Sequence, residues 1–180
     1  MADDRRESSE PVYLRSLEMG DLARIHRWHN DHQMYVSLTG LCRFVSLASV
    51  EQWLRERIAY SQSEVALAIC LTNDNTHIGN VYLKRINWTN RHAALAIFIG
   101  DDAHRSEGYG SAAVRLMVQY AFKDLGLHRL YLEALSDNEH AVKLYEKCGF
   151  KVEGRLRKHV YKEGEFKDVL LMGLCVEDIA

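Results

Sequence analysis

Apolar residues recur along this 180-residue chain with two spacings, one suited to strands and one to helices, and their alternation predicts the elements. Val12, Leu14 and then Leu17 fit a first strand. Asp21 can open a helix carrying Leu22, Ile25, Arg27, Trp28 and His29, and a second helix, starting near Ser49, runs through Trp53, Leu54, Ile58 and Ala59 with one apolar face. Strand-like runs at 64–72, 77–86 and 91–99, separated by Asn73-Asp74-Asn75 and by 87–90, predict a three-strand meander. Ala113, Met117, Val118, Ala121, Phe122 and Leu125 then return at helical spacing, and Gly126 can end that helix. Residues 127–135 read as another strand. Residues 138–147 read as a shorter helix with Ala141, Leu144, Tyr145 and Cys148 near one side and a stop at Gly149. Two last strands, 150–161 and 166–176, flank the turn Lys162-Glu163-Gly164-Glu165.

This order is mixed α/β. With 47% hydrophobic residues the chain can bury one substantial core, and with one proline and no internal repeat it offers no interdomain linker. A single domain is expected over 11–180, preceded by a polar, charged tail over 1–10. The balance of 23 basic against 25 acidic residues provides no global field for nucleic acid or an anionic membrane, so neither is an expected partner and any anion must be held locally. No segment has the apolar core of a signal peptide or the length to span a bilayer, and a cytoplasmic location is the expectation. Cys42, Cys70, Cys148 and Cys175 form no CxxC pair, so reduced thiols are expected and no metal site.

The strongest candidate chemistry lies at Arg105-Ser106-Glu107-Gly108-Tyr109-Gly110-Ser111, directly after the apolar run Leu95-Ala96-Ile97-Phe98-Ile99 and at the head of a predicted helix. Gly108 and Gly110 let the backbone adopt conformations closed to other residues, and the first-turn N–H groups of a helix have no intrahelical partner. Together they can cradle a pyrophosphate, although the same glycines also suit a plain tight turn into a surface helix.

About 30 residues later comes Asn138-Glu139-His140-Ala141-Val142-Lys143-Leu144-Tyr145-Glu146-Lys147-Cys148-Gly149-Phe150, and beyond it Glu153-Gly154-Arg155-Leu156-Arg157. In this order and context the three segments resemble the GNAT superfamily of acyl-CoA-dependent N-acetyltransferases, over roughly 12–176. The resemblance is to the branch of ribosomal-protein N-terminal, polyamine and nucleotide-amino-sugar acetyltransferases. It implies a twisted mixed sheet flanked by helices and splayed near its middle, with CoA entering between the strands ending at Ile99 and Leu135. It also implies acetyl-CoA as acyl donor. Backbone groups of Phe98, Ile99 and Gly100 would pair with the pantetheine amides, N–H groups from Arg105 through Ser111 would hold the pyrophosphate, and Arg105 would add charge. Asn138 matches a pantetheine contact and also suits a helix cap.

Tyr145 matches the position from which a phenol protonates or stabilises the departing thiolate, and a packed aromatic is the alternative. Relatives often carry a glutamate base where this chain has Ala94, which leaves His92, His29, Glu133 or a water chain for that task. Trp28, His29 and Asn30 form the first candidate substrate patch, with Tyr82, Lys84 and Tyr161 as further candidates. The expected reaction is acetyl transfer to a primary amine of a small molecule, an amino-sugar nucleotide or a polyamine-like compound, by an enzyme free to form a homodimer. A protein N-terminal acetyltransferase and a non-catalytic acyl-CoA-binding module are the competing readings. A strongly acidic pocket would favour a polyamine, and a basic and aromatic lining a nucleotide sugar.

Overall fold

The computed structural model describes residues 10–40 and 43–179. Seven strands form one sheet in the order β1-β2-β3-β4-β5-β7-β6: β1 (Val12–Ser16), β2 (Val65–Leu71), β3 (His77–Asn87), β4 (His92–Ile99), β5 (Arg129–Leu135), β6 (Lys151–Lys162) and β7 (Glu165–Cys175). Helices α1 (Leu22–His29), α2 (His32–Val36) and α3 (Leu47–Ile58) cover one face, while α4 (Tyr109–Gln119) and α5 (Glu139–Lys147) cover the other. Each face therefore buries its own apolar cluster. Ile25, Trp28, Val50 and Leu54 pack on Ala68 and Cys70 on one side, and Val114, Met117 and Tyr145 pack on Leu83, Leu95 and Leu130 on the other.

The meander β2-β3-β4 is antiparallel, and so are β5-β7 and β7-β6. Among the described residues only β4 and β5 run parallel, and they pair at three positions, His92↔Arg129, Ala93↔Leu130 and Ala94↔Tyr131. Beyond Ala94 and Tyr131 the two strands part, which gives the sheet the central splay the resemblance implied.

The predicted strands lie within about two residues of those observed, because turns with strong local chemistry bound them. Two helix ends differ. Ser46, rather than a residue near Ser49, caps α3 by accepting from Ser49 N–H at 3.1 Å. Past α4 the chain continues through a single wide turn, Tyr120–Asp124, before Gly126 reverses it with φ +64°. The five-residue α2 was not expected, although Asp31 caps it by accepting from Gln33 N–H at 2.9 Å. Glu10, assigned to the tail from sequence, pairs with Arg115 at 2.9 Å; the rest of that tail, like Cys42, lies outside the described residues. The three described cysteines are free. No helix among the described residues is long and apolar enough to cross a membrane.

Candidate active site

A cleft of about 840 Å3 runs along the splay, from the start of α4 past α5 to the α1, α2 and α3 side of β3 and β4. Its geometry follows from strand alternation. Gly100 N–H donates to Ile78 O at 2.9 Å, and Asn80 lies opposite Phe98. Backbone groups alternate sides along a strand, so those of 94, 96, 98 and 100 face β3. Those of Leu95, Ile97 and Ile99 face the gap left by β5. The expectation for Phe98 and Gly100 as backbone partners of an added strand is thus corrected to Ile97 and Ile99, since β3 already occupies the other edge. Ile99 keeps its N–H for the gap, while its carbonyl accepts from Arg105 Nε at 3.1 Å.

The turn from β4 into α4 has the backbone geometry a cradle needs. Ser106 and Gly108 both take left-handed conformations, with φ +66° and +84°, and Gly108 occupies the N-cap of α4. Ala112 N–H closes the first helical turn on Gly108 O at 3.1 Å, which leaves the N–H groups of Tyr109, Gly110 and Ser111 without intrahelical partners. Arg105 pairs with Asp102, yet its Nη2 is buried and has no hydrogen-bond partner among the described residues. A strand edge with free amides, a nest of N–H groups at a helix N-terminus and an unsatisfied buried guanidinium nitrogen fit a pantetheine pyrophosphate. Arg105, Ser106, Gly108, Gly110 and Ser111 line the cleft; Glu107 and Tyr109 belong to the turn but do not line it.

Asn138 and Tyr145 also reach the cleft. Asn138 Oδ1 caps α5 by accepting from Ala141 N–H at 3.1 Å, and its Nδ2 donates to Ser37 O at 3.0 Å, so the side chain ties the loop after α2 to α5. Lys162 pins the same loop by donating to Tyr35 O at 2.9 Å and to Gly40 O. Tyr145 is 8% exposed and stands edge-on to Phe150. Burial, with a smaller effect from Cys148, pushes its phenol up to about 12, so it is a neutral donor at physiological pH.

At the acceptor end the first candidate patch divides. His29 lines the cleft against the edge of Trp53, and burial followed by Arg57, His26 and Lys84 lowers its pKa to about 4, keeping the imidazole neutral. Trp28 is 1% exposed and packs on the backbone of Gly100, where any Cβ would stand 2.2 Å from its ring. Asn30 spends its side chain on His26 O, Val45 O and Val45 N–H. Neither lines the cleft, because the buried face of α1 turns Trp28 inward and the chain leaving α2 claims Asn30. Among the other base candidates, Glu133 lines the cleft, whereas His92 lies outside it against the edge of Tyr131. Tyr82 and Lys84 line it too, and Tyr161 sits exposed against Phe166 at the β6-β7 hairpin.

A buried polar chain supports Tyr82 from behind. Arg15 holds Asp21 through two 2.8 Å bonds, and Asp21 Oδ1 lies 3.1 Å from His77 Nδ1, off the line a hydrogen bond needs. His77 Nε2 faces two acceptors, Gly79 O at 2.9 Å and Asn80 Oδ1 at 2.8 Å, so it carries the proton. Asn80 Nδ2 then donates to the Tyr82 hydroxyl at 3.0 Å. Nothing in the sequence pattern signals this relay, since its members come from separate strands and a turn.

The family model of the GNAT acetyltransferase domain matches residues 12–151, most of the chain. The chain belongs to the GNAT acetyltransferase family. It is 32% identical to a spermidine N(1)-acetyltransferase of Vibrio cholerae over 159 residues, covering 88% of this chain and 90% of that one. The Escherichia coli K12 spermidine N(1)-acetyltransferase is 31% identical over 168 residues, 92% of this chain and 86% of the relative. Among solved structures, spermidine N-acetyltransferase from Vibrio cholerae in complex with CoA and spermine superposes with a TM-score of 0.86 at 29% identity, over 93% of this chain and 97% of that one. As a GNAT enzyme this protein is an acetyl-CoA-dependent N-acetyltransferase.

Proposed function

We propose that this GNAT enzyme acetylates the primary amine of a small molecule, with the donor lying along the β4 edge and the acceptor approaching from the side of α1, α2 and α3. The observation that carries this reading is the junction of the two regions at the splay. The free amides of Ile97 and Ile99 lead from the α4 cradle toward Tyr145, and the same cleft opens onto His29, Tyr82 and Lys84. The loop after α2, tied down by Asn138 and Lys162, walls the acceptor end. That wall favours a compact amine over an extended protein N-terminus, which needs an open groove.

Acetyl-CoA supplies the activated carbonyl. During transfer one C–N bond forms and one C–S bond breaks, while a proton leaves the amine and sulfur must be stabilised. The Tyr145 hydroxyl is the neutral donor available for the sulfur. Glu133, the carboxylate lining the cleft, receives the amine proton directly or through water. His29 is the alternative base, since burial and the Arg57 charge keep its ring neutral where it lines the cleft. The chain also self-associates in this reading: a Vibrio cholerae relative with a TM-score of 0.80 and 30% identity, over 94% of this chain and 96% of that one, is dodecameric.

The test is an amine panel with acetyl-CoA, including spermidine, hexosamine derivatives and peptides with free N-termini. A mass gain of about 42 Da on a small amine, matched by free CoA, is expected for acyl transfer. Acetylation of peptides alone would overturn the small-molecule reading.

A further inference from the structure

The charges lining the cleft do not suit a polycation. Glu133 is its one carboxylate among the described residues, against Lys84, Arg105, Lys143 and Lys147. Arg105 belongs to the donor loop and Lys143 and Lys147 to α5, so the acceptor end is left with Lys84 facing Glu133.

Strand register fixes how these two are arranged. Lys84 lies opposite Ala94, and Ala94 lies opposite Tyr131, which makes one row across β3, β4 and β5 at the last paired position before the splay. With strands about 4.8 Å apart, the outer members of that row are roughly 10 Å apart at the backbone. Glu133 follows Tyr131 by two residues and shares its face of β5. A cation on β3 and an anion on β5 therefore flank a floor that at Ala94 is only a methyl group.

Lys84 also lacks an anion. Among the described residues its Nζ has no carboxylate partner and rests 4.8 Å from the centre of the Tyr82 ring. Burial lowers its pKa, Glu64 opposes that, and Arg57 and Arg85 add to it. The Tyr82 hydroxyl, in a side chain 4% exposed, accepts from Asn80 and has its own proton unclaimed by any acceptor among the described residues. His77, whose Nε2 donates to Asn80 Oδ1, fixes that orientation.

We propose that Lys84 and Tyr82 form an anion seat at the acceptor end, so that the preferred substrate is a primary amine bearing a carboxylate or phosphate a few atoms away. This rests on the acetyl-transfer reading above and narrows its substrate class. Glu133 takes the ammonium end of such a zwitterion, and Lys84 with the Tyr82 proton takes the anionic end. A diamine would bring its second ammonium against Lys84.

Matched ligands that differ in the sign of one distant charge test the seat. Calorimetry on the CoA-bound protein would compare γ-aminobutyrate with putrescine, and a hexosamine phosphate with its free hexosamine, the second pair separating a phosphate arm from a carboxylate one. At least one anionic member should bind about tenfold or more tighter than its counterpart, a gap that Tyr82→Phe narrows and Lys84→Glu reverses. Lys84→Gln, milder in charge, should bring the ratio near one. Tighter binding of putrescine by the unmodified protein, no binding of any of the four, or an order untouched by both Lys84 variants would overturn the seat. Acetylation of the panel without charge preference would sink the seat and leave acetyl transfer standing. Charge-selective binding that Lys84→Glu reverses, without acetylation of any amine, would do the opposite.

Discussion

Replacing Tyr145 with Phe removes one hydroxyl and nothing else from a packed ring. Among the described residues that hydroxyl makes no hydrogen bond, and the ring keeps its edge contact with Phe150, so the fold should lose little. What it should lose is a donor to developing negative charge on sulfur. A hydrogen bond to a charged group contributes about 1.5–3 kcal/mol, which corresponds to roughly 10- to 150-fold in rate. The phenol, pushed up to about 12, stands well above an ordinary thiol at about 8.5, and that gap makes complete proton transfer to a free thiolate uphill by about 5 kcal/mol. In the proposed role Tyr145 would donate a hydrogen bond as the C–S bond lengthens, and the rate should show no falling limb from its ionisation below about pH 11. Thiol release under saturating acetyl-CoA and amine measures kcat, and calorimetry measures donor affinity. We expect kcat to fall by 10- to 150-fold with donor affinity and melting temperature nearly unchanged. An unchanged kcat would refute the role, and a loss confined to donor affinity would reassign Tyr145 to binding.

Two further substitutions probe the cradle and the relay. Gly108→Val should weaken acetyl-CoA binding by tenfold or more: φ +84° costs a side-chain-bearing residue about 1–2 kcal/mol or displaces the start of α4, although no atom lies within 4 Å of the added Cβ. Gly20→Ala, where the added Cβ meets nothing within 4 Å and which lies outside the cleft, is the control, and equal affinities for all three proteins would count against the cradle. Asp21→Asn should cost about 3 kcal/mol at neutral pH in chemical denaturation, because it leaves the Arg15 guanidinium without its charge partner. Burial raises the Asp21 carboxyl, but Arg15, His77 and the Glu18 N–H more than offset it and hold it well below the usual carboxylate range. A depressed folded pKa contributes stability above the unfolded value of about 3.9, so the difference between the two proteins should be full at pH 6 and shrink as pH falls below about 4. A difference that stays constant into acid would contradict the ion pair.

The turn that heads α4 was legible because its geometry is local. Gly108, Gly110 and the helix behind them are adjacent in sequence, and a left-handed residue before a helix is a property of a few consecutive residues. Strands and long helices were legible for the same reason, through periodicity and end signals. The donor edge was one residue out, because whether Phe98 or Ile97 turns its amide to the gap depends on which edge β3 occupies, and their β3 partners Asn80 and Val81 are distant in sequence. The acceptor patch failed at Trp28 and Asn30 for a related reason. An amphipathic helix announces that it has a buried face, but the docking of α1 against Phe98 and His77 decides that Trp28 belongs to it.

The departure at Ala94 is the point where local and non-local information combine. Read alone, it removes a carboxylate and weakens the case for direct base chemistry. In the sheet, Ala94 stands between Lys84 on one neighbour and Tyr131 on the other, and Glu133 follows on the same face of β5. The carboxylate of the cleft thus stands across the splay from Ala94, and the position opposite Ala94 on β3 is a lysine. In the proposed reading this separated pair offers no surface for a second ammonium, while Glu133 remains to accept the reacting proton. The amine chemistry can therefore persist while the identity of the rest of the acceptor changes sign.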